Sequence, residues 1–172
     1  MTDIALDSIL FRRLEKSDDR SSFDCGVQPL NEFLQKYARQ NQTLSISVTY
    51  IAILPPQNNI LGYYTLSSAD ILFEHIPKNI RRKLPHYPIP VTRIGRLARD
   101  LSIKGKGFGK FLLIDAFARI LRISEELGIH GIEVDAKDKR AKLFYQSFGF
   151  EELLDDDLHL YISLKTVKAA FQ

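Results

Sequence analysis

One cysteine, Cys25, is all the sequence contains, so no intrachain disulfide can staple it. No run approaches the roughly 18 continuous apolar residues that a membrane helix requires. The opening Met1-Thr2-Asp3 is acidic and lacks the basic-then-apolar pattern of a secretory leader. No internal repeat, low-complexity tract or linker interrupts the chain. The four histidines, His75, His86, His130 and His159, are widely spread and show no metal-ligand spacing, so no metal is expected. Cys25 precedes Gly26 in a turn-like segment with no histidine nearby in sequence, and reads as a small buried residue rather than a nucleophile. What these absences leave is one soluble cytoplasmic domain spanning residues 1–172, whose 45% hydrophobic content suffices for a core.

Charge is present but unevenly placed. Between Ile76 and Arg122 stand twelve Lys or Arg against two acids, Asp100 and Asp115, so this segment carries +10 in a chain of net +3. Such asymmetry suggests an anionic ligand, although a solvated basic face would give the same count.

The hydrophobic periodicity predicts a mixed α/β order. Ile9 to Leu14 reads as a strand, and Leu30, Phe33, Leu34, Tyr37 and Ala38 follow Pro29 at helical spacing. Val48–Leu54 and Ile60–Ser67 form a hairpin with a longer loop. A short basic helix, Asn79–Leu84, precedes Pro85, Pro88 and Pro90, which forbid a long helix there. Val91–Ala98 reads as a strand, Gly105–Leu127 as the strongest helix, and Ile129–Val134 as a strand in parallel crossover with the first of these. A short helix from Asp138 or Lys139 to Phe148 and a last strand, Leu158–Leu164, complete the order. Asp155-Asp156-Asp157 reads as a solvated loop.

One turn carries a recognisable chemistry. Lys104-Gly105-Lys106-Gly107-Phe108-Gly109 joins a strand to a helix, whose first N–H groups lack helical partners. Glycines bare the backbone there, and Lys104, Lys106 and Lys110 add charge, which makes a diphosphate cradle. Lys110 stands where a dinucleotide fingerprint needs glycine, and Lys110-Phe111 is not the Lys-Ser or Lys-Thr of a nucleotide-triphosphate loop.

This turn resembles the pyrophosphate loop of the GNAT superfamily of N-acetyltransferases, with Lys104 at a position usually Arg or Gln. Some forty residues on, Ala141-Lys-Leu-Phe144-Tyr145-Gln-Ser-Phe148-Gly149-Phe150 resembles that family's C-terminal signature. The resemblance narrows to the acetyltransferase toxins of type II toxin–antitoxin pairs. It is carried by Phe23-Asp24-Cys25-Gly26 with Leu30-Asn31-Glu32-Phe33-Leu34, by Gly62-Tyr63-Tyr64-Thr65-Leu66-Ser67, and by Leu84-Pro85-His86-Tyr87-Pro88-Ile89-Pro90. Ile94-Gly95-Arg96-Leu97-Ala98 and Val134-Asp135-Ala136-Lys137-Asp138 extend it over roughly residues 9 to 164.

What the resemblance implies is a GNAT fold: a mixed, mostly antiparallel sheet with a parallel strand–helix–strand unit for acetyl-CoA and helices on both faces. It implies acetyl-CoA as co-substrate and acetylation of the α-amino group of aminoacyl-tRNA, which stops translation, by a homodimer silenced by a ribbon-helix-helix antitoxin. Coenzyme contacts are expected from Leu97, Ala98, Arg99, Lys104, Gly105, Lys106, Gly107, Phe108, Gly109, Lys110 and Phe144, with Tyr145 as general acid to the leaving thiolate. Arg81, Arg82, Lys83, Arg93 and Arg96 are candidates for tRNA phosphates, and His86 reads as a surface histidine that could meet substrate.

The strand Arg93-Ile-Gly-Arg-Leu-Ala-Arg-Asp100 has no Glu or His to act as base. A lysine amine, with a pKa of about 10.4, needs a base; an α-amine near about 7.7–8.0, lowered further by an adjacent ester, does not. Two other readings stay open: acetylation of a small-molecule amine, and a non-catalytic acetyl-CoA-binding regulator.

Overall fold

A computed structural model describes residues 6–171, so Met1-Thr2-Asp3 lies outside the described residues. The chain runs β1 (Leu10–Arg13), α1 (Gln28–Glu32), α2 (Ala38–Thr43), β2 (Val48–Ile53), β3 (Gly62–Ile71) and α3 (Lys78–Arg81). It continues with β4 (Ile89–Arg99), α4 (Phe108–Ile123), β5 (Gly131–Asp135), α5 (Lys139–Gln146), β6 (Glu151–Glu152), β7 (His159–Ser163) and α6 (Leu164–Ala170). The strands form a seven-stranded sheet in the order β1-β2-β3-β4-β5-β7-β6. β1 with β2, β2 with β3, β5 with β7 and β6 with β7 are antiparallel, and β4 with β5 is parallel. This is the expected mixed, mostly antiparallel sheet with one parallel pair. Two compact units make up the chain.

The first unit, residues 1–67 and 96–116, packs Leu14, Phe23, Phe33, Leu34, Ala38, Ile51, Ile53, Ile60, Tyr63 and Ala98 into one buried cluster. Its leading helix is not regular. A π turn, Phe33–Tyr37, separates α1 from α2. The extra residue shifts the apolar face, so Phe33, Leu34 and Ala38 are buried while Tyr37, expected inside, stands 47% exposed. Buried Gln42 ties this helix to the sheet: its Nε2 donates to the Leu14 carbonyl at 2.9 Å and its Oε1 accepts from the Thr49 N–H at 3.0 Å.

The second unit, residues 68–95 and 117–172, buries Ile71, Ile76, Ile89, Val91, Leu153 and Tyr161 together. Ile80 and Leu84 pack against that cluster. The basic helix ends at Arg81, short of the expected Leu84, with a single further turn closed by the Leu84 N–H on the Arg81 carbonyl at 3.0 Å. α6 was not expected from the periodicity; Ser163 caps it by accepting from the Thr166 N–H.

In the first unit, Gly62 opens β3 where α4 begins. A Cβ there would lie 2.9 Å from Leu112 Cδ1, 3.0 Å from the Ala98 carbonyl oxygen and 3.2 Å from Phe108 Cε1. The absence of a side chain thus lets α4 seat against the strands. Gly62→Ala is expected to destabilise the protein by about 1–3 kcal/mol through overpacking and to weaken acetyl-CoA binding. Chemical denaturation and coenzyme titration check this, and an unaltered midpoint would refute the close-packing argument.

Candidate active site

The glycine turn is built by backbone handedness. Gly105 and Gly107 have φ of +82° and +68°, and a Cβ at either would meet nothing within 4 Å. Residues 104–107 and Lys110 are exposed, whereas Phe108 is 2% exposed and anchors the first turn of α4. The helix therefore starts at Phe108 rather than the expected Gly105, because two left-handed residues cannot be helical. It stops at Ile123 instead of Leu127, tightening through Glu125 N–H to the Arg122 carbonyl at 3.2 Å and Glu126 N–H to the Ile123 carbonyl at 3.0 Å. The result is an open, lysine-flanked backbone at the positive end of a 16-residue helix, able to accept a diphosphate.

Asp100 fixes the approach to this turn. Its N–H donates to the Leu61 carbonyl at 2.8 Å, its Oδ1 accepts from the Ser102 N–H at 2.9 Å and its Oδ2 accepts from the Asp24 N–H at 3.0 Å. The Leu101 N–H returns to the Asp24 carbonyl at 2.8 Å. Asp24 Oδ1 in turn accepts from Gly26 N–H and from Asn31 Nδ2, both at 2.9 Å, and Asn31 Oδ1 accepts from the Cys25 N–H at 2.8 Å. The Phe23-Asp24-Cys25-Gly26 and Leu30-Asn31 motifs are thereby one latch, which short-range sequence reasoning could not join to Asp100. Leu97 and Arg99 are half-buried and Ala98 is 5% exposed on the strand this latch terminates. In the same unit the Arg96 guanidinium carbon lies 3.6 Å from the centre of the Phe33 ring.

In the second unit, Asp138 caps α5 by accepting from the Ala141 N–H at 2.8 Å. Tyr145 on that helix is 8% exposed, with Phe144 and Phe150 edge-on at ring-centre distances of 5.2 Å and 5.4 Å. Gly149, at φ +100°, turns the chain after the helix and brings Phe150 back onto Tyr145. Burial pushes the Tyr145 phenol up to about 12, so it keeps its proton at neutral pH.

The five basic candidates differ in their surroundings. Arg82 and Lys83 are exposed, Arg81 lies 5.3 Å over the Phe73 ring, and Arg93 Nε donates to Glu133 Oε1 at 2.8 Å. Glu133, 1% exposed, also meets His159 Nε2 at 2.6 Å, and His159 Nδ1 lies 2.9 Å from Asp155. His75 Nδ1 stands 3.9 Å from the same carboxylate. Asp155 lies in the exposed loop expected, and two histidines far apart in sequence, His75 and His159, converge on its carboxylate. Among the described residues no group of three or more His, Cys, Asp or Glu could hold a metal ion, and no helix is long and apolar enough to cross a membrane.

A tRNA-acetylating toxin of Mycobacterium tuberculosis is 33% identical over 158 residues, covering 92% of this chain and 93% of that protein. The chain belongs to the tRNA-acetylating toxin family. No family model matches the sequence. Among solved structures, AtaT in complex with acetyl-methionyl-tRNAfMet has a TM-score of 0.89 at 31% identity, over 95% of this chain and 99% of that one. A tyrosine-to-phenylalanine mutant of AtaT, bound to acetyl-CoA and to the C-terminus of the antitoxin AtaR, has a TM-score of 0.82 at 30% identity, over 96% and 99% of the two chains. The tRNA-acetylating toxin fold, a GNAT fold, is thus present along nearly the whole chain.

The His159 cluster predicts a pH dependence. Burial alone would lower the imidazole's pKa, but hydrogen bonds and charge from Asp155 and Glu133 outweigh it and hold it above the ordinary value. Burial opposes ionisation of Asp155 too, and the His159 contact overrides it, leaving that carboxyl below its ordinary range. The His159 contribution is therefore complete below the ordinary histidine pKa of about 6.5 and is lost as pH rises through the raised folded value. The Asp155 contribution is present above the ordinary carboxylate pKa and is lost as pH falls through its lowered value. The melting temperature is expected to decline as pH rises above about 6.5, and His159→Gln to lower it and flatten that decline. Parallel profiles for the two proteins would rule the cluster out as the cause.

Proposed function

We propose that this protein transfers the acetyl group of acetyl-CoA to the α-amino group of aminoacyl-tRNA, blocking translation. The observation that carries the reading is the open turn at Gly105 and Gly107, with Lys104, Lys106 and Lys110 around it, in a member of this family. Relatives support the two substrates: one AtaT structure holds acetyl-methionyl-tRNAfMet and another holds acetyl-CoA. Residues 1–172 act as a single acetyltransferase domain.

In this reading the backbone from Lys104 to Lys110, with Phe108 as its anchor and Gly109 continuing the helix, cradles the diphosphate. Backbone groups of Leu97, Ala98 and Arg99 hold the acetyl carbonyl and pantetheine arm, and Phe144 packs on the coenzyme. The neutral amine attacks the thioester carbon, the carbon–sulfur bond breaks, and the amine's surplus proton balances the charge left on sulfur. Tyr145 donates to that sulfur as its charge develops. A phenol near 12 holds its proton more tightly than a thiol near about 8.5, so the hydrogen bond itself carries much of the stabilisation. No base is needed from β4: Asp100, which follows it, is committed to the Asp24 and Ser102 amides. The substrate's α-amine already supplies a neutral fraction near pH 7.

Arg81, Arg82, Lys83, Arg93 and Arg96 meet tRNA phosphates in this scheme. Arg93 does so while its Nε stays on Glu133; its Nη2 stands 3.8 Å from the exposed Asp135 carboxylate, a contact that RNA phosphate would compete with, in a side chain 44% exposed. The protein works as a cytoplasmic homodimer, and a ribbon-helix-helix antitoxin silences it; the AtaR-bound relative supports an antitoxin partner.

Labelled acetyl-CoA offered with charged tRNA, deacylated tRNA and a panel of small amines tests the acceptor. Label is expected on charged tRNA alone; transfer only to small amines would overturn the reading. Tyr145→Phe is expected to keep the fold and coenzyme affinity while slowing acetyl transfer by about 10²-fold or more, and unchanged turnover removes Tyr145 from the mechanism. Reversing Arg81, Arg82 and Lys83 together is expected to weaken tRNA binding while sparing coenzyme affinity. An equal loss of both would indicate misfolding instead.

A further inference from the structure

The segment Leu84-Pro85-His86-Tyr87-Pro88-Ile89-Pro90 takes no part in the acetyl-transfer chemistry, yet it is held in a defined shape. Ile89 is 2% exposed and packs with Ile76, while Leu84 and Ile80 lie against the same cluster. Prolines at 85, 88 and 90 restrict the backbone between these anchors. What the segment presents to solvent is aromatic: His86 is exposed and Tyr87 is 61% exposed.

His86 is also backed. Its ring stacks on Phe73 with centres 4.3 Å apart and planes at 22°. The Arg81 guanidinium lies over the same Phe73 ring, and Arg81 Nη1 reaches the Glu74 carbonyl at 3.5 Å. The Phe73 ring thus meets both the His86 imidazole and the Arg81 guanidinium. Ring contact removes His86's conformational freedom before any ligand arrives, so binding costs less. From Ile76 to Pro90 the sequence has Lys78, Arg81, Arg82 and Lys83 and no acid.

An ordered aromatic face whose surroundings, Phe73 to Pro90, carry four cations against the one acid Glu74 fits one ligand chemistry, an unpaired nucleotide. Duplex RNA hides its base faces in its own stack, whereas single-stranded ends expose them to aromatic side chains. We propose that His86, supported by Phe73 and flanked by Tyr87, is a stacking platform for an unpaired base at the end of the RNA substrate, with Arg82 and Lys83 on its phosphates. The proposal rests on RNA being the acceptor, and adds where its terminal base is held.

Fluorescence anisotropy with a labelled single-stranded RNA oligonucleotide, and with the same sequence as a blunt duplex, tests this on the full chain. His86→Ala is expected to weaken single-strand binding by about 5- to 100-fold with little effect on the duplex, and His86→Phe to restore it. The KM for acetyl-CoA stays unchanged in both variants, and the KM for charged tRNA rises only in His86→Ala. Wild-type affinity in His86→Ala, a loss that phenylalanine does not rescue, or no RNA binding by the wild type overturns the platform. Single-strand binding that depends on His86 without acetylation of charged tRNA leaves the platform standing and removes the acceptor reading. Acetylation of charged tRNA with an unmoved KM in His86→Ala does the reverse.

Discussion

Asp100, directly after β4, makes a set of hydrogen bonds on which the glycine turn depends. One backbone amide fastens it to Leu61, one carboxylate oxygen caps the short 3-10 turn Leu101–Ile103, and the other holds the Asp24 amide. Backbone donors to a carboxylate are stronger than neutral pairs, and both of its oxygens are used. The strand end, the entry to the glycine turn and the segment before α1 are therefore fixed by the same side chain. Without such a clamp, a turn with two left-handed glycines and four exposed residues would sample many shapes. With it, the entry to the turn is fixed before a ligand arrives, and preorganisation of this kind lowers the cost of binding.

In the second unit the corresponding constraint is a buried charge. Glu133 is almost wholly removed from water and is tolerated because Arg93 and His159 each meet one of its oxygens. Arg93 and Glu133 are also register partners at the last rung where β4 and β5 pair. The ion pair thus sits on the last paired rung of the parallel strands. Removing either partner of Glu133 leaves the buried carboxylate under-compensated, which is strongly destabilising.

Six of the seven strands are legible from periodicity and the glycine turn from glycine placement, because both are local signals, while the two-residue β6, Glu151–Glu152, is too short to leave a periodic mark. The glycine turn was placed correctly, but its glycines were counted into the helix, since periodicity does not report a positive φ. Tyr37 was assigned inward because a π turn shifts the helical face by one residue and leaves no compositional mark. The Asp24–Asp100 latch joins residues 76 apart, and the Glu133–His159–Asp155 cluster joins a strand to a loop that read as solvated. Nothing in a local window distinguishes a carboxylate awaiting a distant amide or imidazole from one facing water. Sequence reasoning therefore missed the groups that hold the glycine turn and the strand before it still, Asp24, Asn31 and Asp100 among them.

Gly105 and Gly107 carry one last consequence. Space around both positions is open, since a methyl group at either would touch nothing. The restriction there is chirality and not volume: L-residues are disfavoured because the backbone turns left, while a D-alanine would sit in the same dihedrals without strain. The turn is thus defined by mirror-image backbone geometry, and its bare surface follows from the hand of the chain and not from the size of a pocket.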